Sequence, residues 1–159
     1  MNKKANIMDA PFSLKLIMLF VIMALMSLTI FHYSNEKFQS NSIVKDDVKT
    51  VMNDYNTNFQ LGVDYGFIAL LFGFIIFSVI QARRIQSSST FYVFSIIVVV
   101  FVWLISILFS YFYVKFADNS IFTPILTNLN FIPYIMPNLL YYAILYTMII
   151  SIALYTKDN

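Results

Sequence analysis

Residues 91–114 read FYVFSIIVVVFVWLISILFSYFYV, a stretch without a single charged side chain. An α-helix rises about 1.5 Å per residue, so roughly 20 residues cross a hydrocarbon core of about 30 Å. The stretch meets that length, and in lipid a helix satisfies all its backbone hydrogen bonds within the segment. Strands of a membrane barrel are about 10 residues long and alternate polar with apolar side chains, which this stretch does not do. It therefore predicts a membrane-spanning helix.

Three further uncharged apolar runs lie at residues 16–31, 65–82 and 139–156. With their flanks, the four runs predict an all-α integral membrane protein with spans at about 12–32, 61–82, 90–114 and 138–156. The loop 83–89 is so short that spans two and three must form an antiparallel hairpin. We expect one membrane domain over residues 1–159, in which the four helices form an antiparallel bundle with the lipid bilayer as their solvent.

The composition agrees with a membrane protein and excludes several other classes. The chain is 60% hydrophobic and 11% charged, whereas soluble domains carry about 25% charged residues. A net charge of +2 is small for a nucleic-acid-binding protein, which needs a clustered basic face. The chain has no cysteine, which excludes disulfides, thiolate metal sites and a catalytic thiol.

The distribution of charge predicts the orientation, because cytoplasmic loops are enriched in Lys and Arg. Four spans place both termini and the loop 83–89 on one side of the membrane. That side has the basic residues Lys3, Lys4, Lys15, Arg83, Arg84 and Lys157 and the acidic residues Asp9 and Asp158, a balance of +4. The other side has Lys37, Lys45, Lys49 and Lys115 against Glu36, Asp46, Asp47, Asp54, Asp64 and Asp118, a balance of −2. We therefore expect both termini on the cytoplasmic side, or on its equivalent in an internal virus membrane.

Two segments, 33–60 and 115–137, are predicted to lie outside the spans. Within the first, Lys45–Phe59 spaces Val48, Val51, Met52 and Tyr55 as one apolar face of a short amphipathic helix. Within the second, Ile121–Met136 is apolar but interrupted by prolines, and it is too short to span the membrane. Left bare, such a segment would expose unsatisfied backbone, so we expect both segments to contact other protein subunits.

Small and hydroxyl-bearing residues recur at helical spacing on three of the spans. Such stripes let helix backbones approach closely in lipid, where van der Waals packing replaces the hydrophobic effect. Trp103 lies in mid-span, so we expect its indole N–H to face protein and to donate to a hydroxyl or carbonyl group. The predicted helix-packing residues are Gly62, Gly66, Ala69 and Gly73 of span two, Ser95, Trp103, Ser106 and Ser110 of span three, and Ala143, Thr147 and Ser151 of span four.

Polar residues at membrane depth are the default candidates for function, and there are few. Asp64 lies near the edge of span two, pointing away from the glycines, and is predicted either to hold structure together at the membrane edge or to bind a proton or ion. His32 is the only histidine, and no partner at suitable spacing completes a metal site. We therefore predict no catalytic, cofactor-binding or metal-binding residue and no enzymatic activity.

The second half of the chain resembles a known class of membrane protein. Asp64-Tyr65 opens a span, Arg83-Arg84 forms a turn, and an all-apolar third span follows. An asparagine-rich loop then covers Asn119–Asn130, and the last helix ends in the residues ALYTK at 153–157. This order, from Asp64 to Lys157, is similar to that of small multi-span proteins of viruses and bacteriophages that carry an internal membrane. The resemblance implies a structural role and assigns no functional residue.

Three functions therefore stay open. The first is a structural, non-enzymatic membrane subunit of a larger assembly, such as a virus particle, in homo- or hetero-oligomeric contact. The second is an accessory subunit of a respiratory or transport complex, which would share the same sequence features. The third is a small channel or holin-like pore, which would need a polar lining that no predicted span shows.

Overall fold

A computed structural model describes residues 9–83 and 89–156, with side-chain surroundings for residues 15–83, 95–154 and 156. Every regular element within these residues is a helix. The six helices are α1 (Asp9–Ser40), α2 (Asp46–Ala82), α3 (Ser89–Ala117), α4 (Thr123–Leu126), α5 (Ile132–Ile135) and α6 (Leu139–Tyr155). The all-α prediction is therefore confirmed for the described part of the chain.

Three of the helices are long and apolar enough to cross a membrane. The segments that qualify by length and composition are Lys15–Ser40, Asp46–Ala82 and Ser95–Ala117. The last helix, α6, has 17 residues, which corresponds to about 26 Å and is slightly less than the hydrocarbon thickness.

Helices α1 and α2 extend beyond the predicted spans and form one long hairpin. Most of the predicted outer segment 33–60 is helical, with a turn at residues 41–45. No proline interrupts residues 46–82, so the predicted amphipathic helix Lys45–Phe59 continues into span two as a single helix of 37 residues. The two helices run in opposite directions. Asn35 of α1 bonds to Asn53 of α2, and four residues closer to the turn on each helix Gln39 bonds to Lys49.

Helices α1, α2, α3 and α6 enclose a common core. Contacts join α1 to α2, α2 to α6, α6 to α3 and α3 to α1, which closes a ring. We call the end that carries the α1–α2 turn, α4 and α5 the outer end. The buried apolar side chains at the centre come from every part of this ring and include Val21, Leu28, Phe67, Tyr113, Ile125, Ile132, Met136 and Leu139.

The proline-interrupted segment 121–136 packs on the chain itself. Pro124 and Pro133 each lie in the first turn of a short helix, where a missing N–H costs no hydrogen bond. Ile125, Ile132 and Met136 are fully buried. The core of the chain therefore buries part of this segment, while Ile121 and Tyr134 stay exposed. Contact of the segment with another subunit stays a prediction.

Some predictions fall outside the described residues. The basic loop 83–89 lies there except for its first and last residues, as do Lys3, Lys4, Lys157 and Asp158.

Candidate functional site: the two faces of α2

The glycine face of α2 points away from the rest of the chain. Gly62, Ala69 and Gly73 are exposed and Gly66 is half-buried. A Cβ atom added to any of the three glycines would meet no heavy atom within 4 Å. The stripe therefore does not join helices within this chain, contrary to a role as its central packing surface. Packing of the stripe against another chain stays a prediction.

The opposite face of α2 is buried and polar in its outer half. Asn56, Gln60 and Asp64 have exposed fractions of only 7%, 2% and 1%. Their spacing of four residues places them on one face of the helix. Sequence reasoning missed this face because it placed the edge of span two at Leu61, between Gln60 and Asp64. The sequence feature that indicates this face is the recurrence of an amide, an amide and a carboxyl side chain at every fourth residue.

Asp64 binds the backbone that leads into α5. Its Oδ2 atom accepts hydrogen bonds from the N–H of Asn130 at 2.7 Å and of Phe131 at 2.9 Å. Its Oδ1 atom accepts from the N–H of Phe131 at 3.1 Å and of Ile132 at 2.9 Å. Three backbone N–H groups therefore bind this carboxylate, and the N–H of Phe131 is shared between its two oxygen atoms. The carboxylate holds segment 121–136 on the outer end, which favours its structural role over ion binding.

A seam of amide side chains joins α1 to the buried face of α2. We call Asn35, Gln39, Asn53, Asn56 and Gln60 the polar seam. Gln39 Nε2 donates to the Lys49 carbonyl at 2.8 Å and to Asn35 Oδ1 at 3.3 Å. Asn35 Nδ2 donates to Asn53 Oδ1 at 3.3 Å. The outer part of the hairpin is therefore held together by hydrogen bonds between amides.

The apolar face of the same helical stretch is exposed. Val51 is 66% exposed, and Val48 and Tyr55 are also exposed. At 100° per residue, this face is in line with the glycine stripe further along α2. Most of the predicted apolar face thus points outwards, although Met52 is half-buried and the ring of Tyr55 lies 6.0 Å from that of Phe31 in α1. The polar face also contacts α1.

The predicted residues of spans three and four partly meet each other. Trp103 faces protein as predicted, and its Nε1 donates to Thr147 Oγ1 at 3.3 Å. Ala143 is buried against Val102. Ser110 donates to the carbonyl of Pro137, which ties the outer end of α3 to the start of α6.

Two further hydroxyl groups of the predicted set bond within their own helices. Ser106 is fully buried and donates to the Val102 carbonyl at 2.8 Å. Ser151 is exposed, and its Oγ donates to the carbonyl of Thr147 at 2.8 Å. Ser95 is half-buried.

His32 lies 3.5 Å from the carboxylate of Glu36, one turn further along α1. Within the described residues, no group of three or more His, Cys, Asp or Glu side chains could hold a metal ion.

Comparisons with protein-family models, with curated proteins and with solved structures find no match for this chain. Function is therefore inferred from the geometry of the chain alone.

Proposed function

We propose that this chain is a non-enzymatic structural subunit of a membrane assembly, and that the outer part of its α1–α2 hairpin binds another protein of that assembly. Four spans hold it in the bilayer, with α6 as the fourth, and both termini lie on the cytoplasmic or equivalent side. The resemblance noted above favours a virion membrane protein as the specific form of this role.

The observation that carries the proposal is the exposed apolar face on the outer part of the hairpin. Helix α2 has 37 residues and is about 56 Å long, while the hydrocarbon core is about 30 Å thick. Even a tilt of about 40°, the upper end of the usual range, accommodates only roughly 39 Å of helix. The outer turns of α2 therefore project from the core of the bilayer.

The projecting part exposes apolar side chains that lipid tails cannot cover. Ile43 at the turn is 89% exposed, and Val48, Val51 and Tyr55 follow along α2. Apolar patches outside the membrane mark contacts with other proteins, because water around them is unfavourable. Three amide side chains of the polar seam, those of Asn35, Asn56 and Gln60, are buried instead.

The pore alternative is weaker for a single chain. The polar face of α2 stops at Phe67, which is fully buried, and Leu71 and Phe74 follow on the same side. A conducting pathway would need polar groups across the whole core.

Site-specific photo-cross-linking tests the proposal. A benzophenone side chain placed at Val51, on the apolar face, is expected to cross-link to one defined protein in the native membrane assembly. The same group at Thr57, which is also exposed but lies off the apolar face, is the matched control.

The identity of the cross-linked protein separates the alternatives. A structural protein of a virus particle supports the virion form, and a subunit of a respiratory or transport complex supports the accessory form. Equal yields from Val51 and Thr57, or products with lipid alone, would contradict a protein contact at this face.

A further inference from the structure

The inner end of the polar seam contains two buried groups of opposite hydrogen-bonding character. Asn56 Oδ1 is an acceptor and Gln60 Nε2 is a donor, and neither has a partner among the described residues. The two residues lie one turn apart on the same face of α2. Buried polar groups in folded proteins are nearly always paired with protein or with ordered water.

The neighbouring protein groups are already in use. The carboxylate of Asp64, one turn deeper, accepts from three backbone N–H groups and makes no hydrogen bond with Gln60. Asn53 and Asn35, on the side towards the turn, bond to each other.

We propose that the polar seam binds internal water, with one molecule accepting from Gln60 Nε2 and donating to Asn56 Oδ1. Water fits because it is both donor and acceptor, and internal waters typically make about three hydrogen bonds to such groups.

Asn53, at the hairpin surface, is exposed, whereas Phe67, which follows Asp64 on the same face of α2, is fully buried. The proposed water site therefore lies between an exposed amide and an apolar residue of the core.

Nuclear magnetic resonance on the full chain in detergent micelles tests this site. The protein is labelled with ¹⁵N in its glutamine side chains, and the Gln60 signal is assigned by its loss in Gln60→Met. We expect a cross-peak between water and the Gln60 side-chain amide protons. Its sign should be that of a water molecule whose residence time exceeds the rotational correlation time of the protein. Asn56→Leu is expected to abolish this cross-peak, because it removes the second partner of the water.

Asn58→Leu, which changes an exposed asparagine two residues away, is the matched control and should leave the cross-peak unchanged. A Gln60 amide without any water cross-peak in the unaltered protein would overturn the proposal, since the two side chains would then bond directly to each other. The cross-peak itself is recorded on the unaltered protein, and variants serve only to assign the signal and to test its second partner. The result is independent of the protein contact proposed for the outer face.

Discussion

At the scale of the residue, Asp64 joins two parts of the chain that are 66 to 68 positions apart. Its charge is compensated by backbone N–H groups that would otherwise be buried without an acceptor. An unpaired N–H in a dry environment costs about 1–3 kcal/mol, and bonds to a charged acceptor are the stronger ones. One side chain thus determines whether segment 121–136 stays on the outer end.

Replacing this carboxylate should therefore destabilise the protein. We expect Asp64→Asn to lower the free energy of unfolding in detergent by roughly 2–5 kcal/mol, because an amide presents one acceptor oxygen and a mismatched N–H₂ group. Hydrogen exchange at the amides of Asn130, Phe131 and Ile132 should accelerate in the same variant. Denaturant titration followed by circular dichroism and exchange mass spectrometry measure the two effects.

The control is Asp54→Asn, which removes an exposed carboxylate from the same helix and should change stability by less than about 0.5 kcal/mol. If the two variants are equally stable and protect segment 121–136 equally, the bonds to Asp64 do not hold that segment.

At the scale of the element, α2 has two faces whose roles are the reverse of those in a soluble amphipathic helix. Its polar side packs inwards near the outer end, and its apolar and glycine side points outwards along the whole length. Three glycines in a helix interior each cost about 0.5–1 kcal/mol relative to alanine, and no close packing by the described residues offsets that cost.

This arrangement predicts that alanine is tolerated on the glycine face. Gly62→Ala, Gly66→Ala and Gly73→Ala should each raise the free energy of unfolding of the isolated chain by roughly 0.5–1 kcal/mol, since helix propensity improves and no clash arises. Phe67→Ala is the comparison on the buried face and should cost about 3–5 kcal/mol. Unfolding in a common detergent measures all four variants.

A loss of stability in the alanine variants of the isolated chain would show that the glycine face is packed within it after all. Gly66→Leu extends the test to the assembly. If this variant melts normally in isolation but fails to join the assembly, the face contacts another chain.

The sequence made the helices predictable and left their faces undetermined. Four apolar runs without charge leave few alternatives to helices in lipid, and each run lies within a helix of the structure apart from Thr156, which directly follows α6. The continuation of α1 and α2 through residues 33–60 was less accessible, because charged residues such as Lys45 and Asp54 resemble those of a loop. The burial of Asp64 against Asn130 could not be predicted, since a contact across so many residues depends on how all the helices pack.

At the scale of the whole molecule, the decisive question is whether α6 crosses the membrane together with the other three long helices. It is slightly short, but a bilayer can thin locally, and flanking residues adjust to a small mismatch at modest cost. Its contacts argue that it crosses. Pro137, just before α6, contacts Ser110 near the outer end of α3, and Thr147 in α6 contacts Trp103, which lies earlier in α3. Helix α6 therefore runs along α3 in the opposite direction. If α3 crosses the membrane, α6, which packs along it, would therefore cross as well.

The absence of cysteine makes this arrangement directly testable, because single cysteines can be introduced without a background. We expect cysteines at Ser42 and Ser120 to react with a membrane-impermeant thiol reagent from one side, and cysteines at Ser88 and Thr156 from the other. The reason is that the four proposed spans would separate the α1–α2 turn and the α4–α5 segment from the loop 83–89 and the end of α6. Reaction of Thr156→Cys from the same side as Ser120→Cys would show that α6 does not cross. Reaction of Ser88→Cys from the outside of intact cells, without reaction of Ser42→Cys, would reverse the orientation that the loop charges predict.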